Sequence, residues 1–356
     1  MPSSQQWSDE IYFRFNARSV SKEYNIPLSE LTDFQVFLVT SKPLDTGGKT
    51  WTFGRHKIYP MMFREINDLI KDMNYPVKEN YWKLTSPVRI RGRTGLINFP
   101  TVMVIMNMTP DSFYPGSRVK EEEVNEKLDE IEKFGGNLVD IGGQSTRPGS
   151  EEISSQEELR RISKAVEISL NRKFIVSVDS YRPEILRECL EMGAHIINDV
   201  TGYESKEVGK LAKSYDVPLI VMHKKGDFKT MQDSPYYENV INEISQFFLN
   251  KIVEARTVGI EDNLILDPGI GFGKRLEDNL SIIENLQDLK LGHPLLIGLS
   301  RKSFIGKLLN EKVEQREISS LIFNSIAIMN GADIVRVHDI KENFKLIKII
   351  KKLKEF

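Results

Sequence analysis

The sequence predicts a (β/α)8 barrel preceded by a small α+β domain. Eight short apolar runs rich in Val and Ile succeed one another after residue 100, and segments of helical periodicity separate them. Runs that are apolar throughout are typical of strands buried on both faces of a parallel sheet. Eight such runs in 256 residues match this barrel in strand count and length. A doubly wound open sheet is the alternative, but no G-x-G-x-x-G turn follows these strands.

The barrel strands are predicted from these apolar runs. In chain order they are residues 101–107, 137–142, 174–179, 195–200, 218–223, 264–267, 294–299 and 334–338. Charged, amphipathic segments between and after the runs predict the helices that cover the barrel. These helices are residues 119–134, 156–170, 183–192, 236–258, 318–329 and 342–354.

The composition changes near residue 95. All three tryptophans lie in the first 100 residues, where Lys and Arg outnumber Asp and Glu by 14 to 10. In the remainder, acidic residues outnumber basic ones by 41 to 35. We therefore expect a small α+β N-terminal domain of unknown function at residues 1–95 and the barrel domain at residues 96–356. In the first domain, residues 11–15, 34–40 and 82–90 have strand character, and apolar residues at helical spacing predict a helix over 59–73.

Charge and cysteine content bound the function. A formal charge of −2 gives no electrostatic case for binding nucleic acid or an anionic membrane. No stretch approaches 18 uninterrupted apolar residues, and the N-terminus lacks a basic start followed by an apolar run. The one cysteine, Cys189, cannot form an intrachain disulfide, which suits a reducing compartment. We expect a cytoplasmic protein with no nucleic-acid and no membrane partner.

Every predicted barrel strand ends in at least one polar side chain. In this fold the C-terminal ends of the strands meet at one face, which carries the active site. Because buried charged groups are costly without partners, eight such ends predict a functional pocket rather than eight separate helix caps. In chain order the polar residues are Asn107, Asp140, Asp179, Asn198, Asp199, His223, Asp267, Ser300, Arg301, Lys302, Arg336, His338 and Asp339.

The chemistry of this set indicates two kinds of subsite. The cationic members suit a phosphate group, and the acceptors suit a planar heterocycle that carries amino and ring N–H donors. No cluster has the spacing of a zinc site, and no G-x-S-x-G nucleophile motif occurs. The cationic members are Lys302, Arg336 and His338, with Arg147 on a loop near them, and the acceptors are Asp179, Asn198 and Asp267.

These residues lie in eight motifs: NMTPDSF (107–113), DIGGQSTRPG (140–149), SVDS (177–180), HIINDV (195–200), VMHKKG (221–226), LDPGIGFGK (266–274), GLSRKSFIG (298–306) and RVHD (336–339). In this order the motifs resemble those of the dihydropteroate synthase family, over about residues 101–356. The resemblance implies a pterin-binding TIM barrel of folate biosynthesis. Its reaction would condense 6-hydroxymethyl-7,8-dihydropterin diphosphate with 4-aminobenzoate, giving 7,8-dihydropteroate and diphosphate.

The resemblance also implies a role for each matching residue. Asn107 would help to hold a Mg2+ ion bound to the diphosphate. The pterin pocket would comprise Asp179, Asn198, Asp267 and Lys302, with Asp140 near it and Met222 and Phe272 packed around the ring. Arg336 and His338 would bind the diphosphate, and Thr146, Arg147 and Ser303 would contact the aminobenzoate. The implied catalytic set is Asp140, Thr146, Arg147, Lys302, Arg336 and His338.

Three positions depart from the family pattern. Gln144 stands where glutamate is more usual, Ser180 where threonine is common, and residues 114–116 read Tyr-Pro-Gly rather than Ser-Asp-Gly. These departures concern the loops and the aminobenzoate end more than the pterin pocket. The amine remains open between free aminobenzoate and a ribosylated relative.

Two other functions are weighed against this one. A pterin-binding methyltransferase shares the pterin-facing carboxylates, but it does not require the STRPG, SRKSF and RVHD motifs. A catalytically silent pterin-binding scaffold would not need polar residues at every strand end. The resemblance also implies a homodimer, because the family pairs through its C-terminal helices. Residues 318–328 are apolar around much of the helix circumference.

Overall fold

The computed structural model describes residues 10–44, 48–77, 81, 85–109, 121–144, 152–228 and 230–353. Four antiparallel strands form the sheet of the N-terminal region, by which we mean the described residues between 10 and 77. They are β1 (Ile11–Arg14), β2 (Val36–Thr40), β3 (Trp51–Phe53) and β4 (His56–Met61), in the order β1-β2-β4-β3. Two helices accompany the sheet, α1 (Ala17–Tyr24) and α2 (Phe63–Asp72).

The N-terminal predictions are partly confirmed. The strands predicted at residues 11–15 and 34–40 are present as β1 and β2. The helix predicted over residues 59–73 begins too early, because residues 59–61 belong to β4, whose residues 57–61 pair with β2. Cross-strand pairing of buried side chains outweighs helical spacing there. The strand predicted over residues 82–90 is wrong except at its end, since residues 85–88 are irregular and residues 82–84 lie outside the described residues.

Both faces of the N-terminal sheet are buried at β1 and β2. Successive side chains of a strand point to opposite faces, so Phe13 and Leu38 join the large core shared with the barrel, whereas Tyr12 and Val39 pack under α1. The sheet is therefore a middle layer between α1 and the barrel.

A two-stranded hairpin, β5 (Arg89–Ile90) and β6 (Arg93–Thr94), closes the base of the barrel. Val88 and Ile90 pack against an apolar layer that contains one residue from each barrel strand. Asn263 holds the hairpin with two bonds to the backbone of Arg89, at 2.7 and 2.9 Å. The division into domains at residue 95 stays a prediction, and this hairpin lies on its N-terminal side.

The (β/α)8 barrel is confirmed. Its parallel strands are β7 (Thr101–Asn107), β8 (Leu138–Gly142), β9 (Ile175–Asp179), β10 (Ile196–Asp199), β11 (Leu219–Met222), β12 (Leu264–Asp267), β13 (Leu296–Ile297) and β14 (Ile334–Val337). They follow the order β12-β11-β10-β9-β8-β7-β14-β13. A parallel bridge between Leu266 and Leu295 joins the two ends of this series and closes the ring.

Helices connect the strands on the outside. They are α3 (Glu121–Lys133), α4 (Ser155–Asn171), α5 (Pro183–Met192), α6 (Lys206–Tyr215), α7 (Val240–Val258), α8 (Leu276–Glu284), α9 (Ser303–Leu309), α10 (Glu317–Met329) and α11 (Lys341–Leu353). The six predicted barrel helices are confirmed, whereas α6, α8 and α9 were not predicted. Within the described part of the chain, none of the helices has the length and apolarity that a bilayer crossing requires.

Candidate active site

Strand alternation places the site inside the barrel. Every second residue of a strand faces the interior. The lowest inward layer is apolar: Met103, Leu138, Ile175, Ile196, Ile220, Ile265, Leu296 and Ile334. Two residues further along each strand, the next inward layer is Ile105, Asp140, Ser177, Asn198, Met222, Asp267, Gly298 and Arg336. Four predicted polar residues, Asp140, Asn198, Asp267 and Arg336, therefore share one floor, and Asp179 lies two residues above Ser177 on β9. The apolar layer beneath them excludes water.

Arg336 is the centre of this floor. Its Nε donates to Oδ2 of Asp140 and its Nη2 donates to Oδ2 of Asp179, both at 2.6 Å. The side-chain amide of Asn198 donates to the same Asp140 oxygen at 3.0 Å. Four residues from four strands, predicted separately from sequence, thus form one connected network. Charge-assisted bonds of this kind fix both carboxylates in place.

The carboxylates retain acceptor capacity for a ligand. Oδ1 of Asp140 is buried and has no hydrogen-bond partner among the described residues. Burial raises the pKa of Asp179 to about 7, Arg336 opposes that rise and Asp140 adds to it. A buried acceptor without a donor is costly. The arrangement therefore favours a ligand that brings N–H donors into the floor.

Asp267 stands at the end of β12 on the same floor. Its Oδ1 accepts the backbone N–H of Gly269 at 2.7 Å, and burial raises the pKa of its carboxyl. Gly269 has a φ of +65°, and a Cβ there would lie 2.0 Å from the carbonyl oxygen of His223. Only glycine fits such an approach. The turn therefore fixes one carboxylate oxygen of Asp267 and leaves the other for a ligand.

A cation and an aromatic ring form one wall. Nζ of Lys302 lies 4.4 Å from the centre of the Phe272 ring, and Met222 pairs in register with Asp267 on the neighbouring strand. Lys274 is 3% exposed, and its Nζ contacts Nδ1 of His223 at 3.0 Å and the carbonyl oxygen of Phe272 at 3.1 Å. Burial lowers the pKa of Lys274 to about 7. Lys274 thus braces the backbone of the Phe272 loop.

The remaining predicted residues lie at the rim or outside the described residues. Nδ1 of His338 lies 3.1 Å from the hydroxyl of Ser300, and Asn107 ends β7. Ser303 is exposed and follows Lys302 at the start of α9. Thr146 and Arg147 were predicted for the aminobenzoate, and both fall outside the described residues.

Not every polar strand end belongs to the pocket. Asp199 follows the inward-facing Asn198, so its side chain points away from the barrel interior. There it accepts the backbone N–H of Thr201 at 2.8 Å and the Thr201 hydroxyl at 2.6 Å. Arg301 pairs with Asp339. Asp199 therefore stabilises a local turn, and Arg301 and Asp339 form an ion pair. These are structural roles that polar strand ends can also take.

Two of the three sequence departures are visible beside the second loop. The amide of Gln144 donates to the hydroxyl of Tyr181 at 3.5 Å. Ser180 is 3% exposed, and its Oγ accepts the backbone N–H of Arg182 at 3.3 Å. Neither contact reaches the carboxylate floor. Residues 114–116 lie outside the described residues.

The residues present fit a divalent ion that arrives with its phosphate ligand. The described residues contain no group of three or more His, Cys, Asp or Glu side chains that could hold a metal. Asn107 offers one amide oxygen at the mouth, and Mg2+ usually binds through few protein oxygens together with substrate phosphates. The donor set of the described residues is therefore compatible with a magnesium–diphosphate complex.

Four residues of the site were not among the site residues predicted from the sequence. Ser177, Ile105 and Gly298 occupy the same inward layer as the predicted residues, and the hydroxyl of Ser177 is buried without a partner among the described residues. The alternation of side chains along a strand could have identified these three residues, because each lies two positions after an apolar residue of the lowest layer. Lys274 was seen only as part of a glycine-rich segment, and its bracing role needed the fold.

A closed barrel with buried acceptors at its mouth and a cation over an aromatic ring defines an enzyme that binds a flat, donor-rich heterocycle. The model of the pterin-binding enzyme family matches residues 103–338. A dihydropteroate synthase from Escherichia coli (strain K12) is 39% identical over 263 residues, which cover 71% of this chain and 92% of that protein. The chain belongs to the dihydropteroate synthase family.

Solved structures agree with this assignment. The Xanthomonas albilineans dihydropteroate synthase with 4-aminobenzoic acid has a TM-score of 0.70 and 34% identity, covering 76% of this chain and 99% of that one. The Burkholderia cenocepacia dihydropteroate synthase complexed with 7,8-dihydropteroate has a TM-score of 0.69 and 29% identity, covering 76% and 98%.

Proposed function

We propose that this protein condenses 6-hydroxymethyl-7,8-dihydropterin diphosphate with 4-aminobenzoate, giving 7,8-dihydropteroate and diphosphate. One observation carries the proposal, namely the buried network in which Arg336 joins Asp140 and Asp179 beside Asn198. A pterin has amino and ring N–H donors in one plane, and these match acceptors fixed on one floor. Family membership supports the same reaction.

The binding roles follow from the geometry. The free oxygen of Asp267 and the unpartnered Oδ1 of Asp140 would accept pterin N–H groups. The ring would lie against Phe272 and Met222, with Lys302 at its edge. A site that satisfies each polar group rejects flat molecules that lack the matching donors. These side chains therefore set the choice of substrate as well as its orientation.

The reaction requires charge to move from carbon to oxygen. The bond between the pterin methylene and the diphosphate oxygen breaks, and its electron pair leaves with the diphosphate. Arg336, Lys302 and His338 would stabilise the negative charge that develops there. The pterin ring delocalises the positive charge left on the methylene, close to Asp140 and Asp267. The amino nitrogen of the aminobenzoate then attacks that carbon and releases a proton to solvent water.

Magnesium is part of the proposal for the diphosphate end. When bound, the ion would supply Lewis-acid neutralisation of phosphate charge. Asn107 would hold it together with the diphosphate oxygens.

Thr146, Arg147 and Ser303 are proposed for the carboxylate end of the aminobenzoate.

The proposed reaction is tested by product mass. We expect that dihydropterin diphosphate, Mg2+ and 4-aminobenzoate, incubated with the protein, give 7,8-dihydropteroate and one diphosphate per product. A parallel incubation with a ribosylated aminobenzoate tests the other amine. Product from that amine alone would change the assigned substrate. Pterin binding without release of diphosphate would favour the silent scaffold, and methyl transfer to a corrinoid would favour the methyltransferase.

We propose that the protein is a homodimer that pairs through α10. That helix exposes four apolar side chains in one stripe: Ile318 (71% exposed), Ile322 (54%), Ile326 (43%) and Met329 (68%). A contiguous exposed apolar stripe marks an interaction surface.

Replacing Ile322 with glutamate should convert a dimer into a monomer in sedimentation at micromolar concentration. Leu28→Glu, at an exposed position of the N-terminal region, is the control and should stay dimeric. A monomeric wild-type protein would contradict the proposal.

A cytoplasmic location is proposed as well. Cys189 is a free thiol that α5 buries completely, and burial raises its pKa to about 12. Such a thiol is unreactive. It supports a protein that depends on no disulfide.

A further inference from the structure

The wall that carries Phe272 is a loop, residues 268–274, between β12 and α8. It fits closely against the loop between β11 and α7. Gly273 has a φ of +64°, and a Cβ there would lie 2.1 Å from the carbonyl oxygen of Lys225. No side chain separates the two backbones at this point. Displacement of the loop between β11 and α7 would therefore displace the loop that carries Phe272.

Side chains also tie the two loops together. The hydroxyl of Tyr237 is buried and donates to the carbonyl oxygen of Gly273 at 2.9 Å. Nζ of Lys225 lies 4.1 Å from the centre of the Tyr237 ring and donates to Oε2 of Glu243 at 2.7 Å. Oε1 of Glu243 accepts the backbone N–H of Glu238 at 2.9 Å. The first turn of α7 therefore sets the position of the loop that holds Gly273.

The N-terminal region contacts the same turn of α7 through a hydrogen bond. Asn239 is the N-cap of α7, where its Oδ1 accepts the backbone N–H of Asn242 at 3.0 Å and its Nδ2 donates to Glu23 of α1. Arg14 holds Glu23 at 2.8 Å and pairs with Asp288 of the barrel at 2.6 Å. Arg14 is 1% exposed, so this anchor is shielded from solvent. Glu23 is thus fixed between β1 and the start of α7.

We propose that the N-terminal region positions the pterin-binding wall of the barrel. Glu23 acts through Asn239 on the start of α7, and that turn acts through Lys225 and Tyr237 on the loop that carries Phe272. The inference rests on the proposed function, because it takes the Phe272 wall as the pterin contact. Glu23 and Asn239 touch no substrate and are positioning residues.

Two single variants and their combination test the proposal. Asn239→Ser keeps an N-cap oxygen but is too short to reach Glu23, and Glu23→Ala removes the oxygen that accepts from Asn239. Each should raise KM for the dihydropterin diphosphate about three- to tenfold and keep kcat within about twofold. KM for 4-aminobenzoate at saturating pterin should not change. The double variant should be no worse than the stronger single one, because both act on one contact.

Tyr237→Phe and Glu30→Gln complete the design. Tyr237→Phe breaks the bond to Gly273 within the barrel and should reproduce the rise in pterin KM. Glu30 pairs with Lys49 on the surface of the same N-terminal region, so Glu30→Gln should leave both constants unchanged.

Two results are decisive against the inference. Unchanged pterin KM in folded Asn239→Ser and Glu23→Ala proteins would overturn it, above all if Tyr237→Phe still raises that KM. An equal loss of kcat and pterin affinity together with a lower Tm would show that the contact only stabilises the fold and does not position the pterin wall. A wild-type protein that forms no product contradicts the proposed function instead. Calorimetric affinity for the dihydropterin diphosphate alone would then still compare the variants.

Discussion

Replacing Arg336 with methionine should lower kcat/KM for the condensation by about a thousandfold or more. The guanidinium holds both Asp140 and Asp179 at 2.6 Å. Methionine would leave two buried carboxylates facing each other and remove a cation from the proposed diphosphate site. Removing one partner of a buried ion pair costs about 3–5 kcal/mol. Diphosphate release and the Tm should therefore both fall.

A double variant tests whether Arg336 serves folding alone. Asp179→Asn combined with Arg336→Met removes one of the two unpaired carboxylates, so it should recover part of the Tm while activity stays lost. Arg160→Met is the matched surface control, because Arg160 pairs with Glu157 on the outer face of α4. That variant should keep both activity and Tm. Restored activity in the double variant would show that Arg336 serves folding alone.

The barrel was predictable because its strands carry an unusually plain signal. A parallel strand covered on both faces is apolar throughout, so a polar residue at its end stands out, as Asp140 and Asp267 do. The number of such runs, eight, is then enough to predict the barrel fold. The alternation of side chains along a strand would also have separated inward Asn198 from outward Asp199, and would have added Ser177 to the pocket.

The contacts between distant segments were not predictable from one sequence. Asp140, Asp179 and Arg336 lie on three strands, and which carboxylate meets which guanidinium nitrogen depends on the register of the closed barrel. The same holds for Arg14 and Asp288, which are 274 residues apart and meet only because the N-terminal sheet packs on the barrel. Local periodicity failed at β4 for this reason, since its partner β2 decides its conformation.

Replacing Asp267 with asparagine should lower kcat/KM about 100- to 10,000-fold, mainly through weaker pterin binding. The backbone N–H of Gly269 fixes Oδ1 of Asp267 at 2.7 Å. Asparagine can keep that bond with its own oxygen, and the turn should therefore stay intact. Its NH2 group must then point into the pocket, where it would meet the pterin donors and the cation of Lys302. Titration calorimetry with the dihydropterin diphosphate measures the effect directly.

The control for Asp267→Asn is a second buried carboxylate that faces away from the pocket. Asp199→Asn removes the same charge from a buried carboxylate that lies outside the barrel interior, where Thr201 donates to it. It should affect the Tm more than pterin affinity. If Asp267→Asn bound the pterin as tightly as the wild-type protein, the free oxygen of Asp267 would not be a pterin acceptor. The ligand would then have to find its acceptors at the Arg336-bound carboxylates, Asp140 and Asp179.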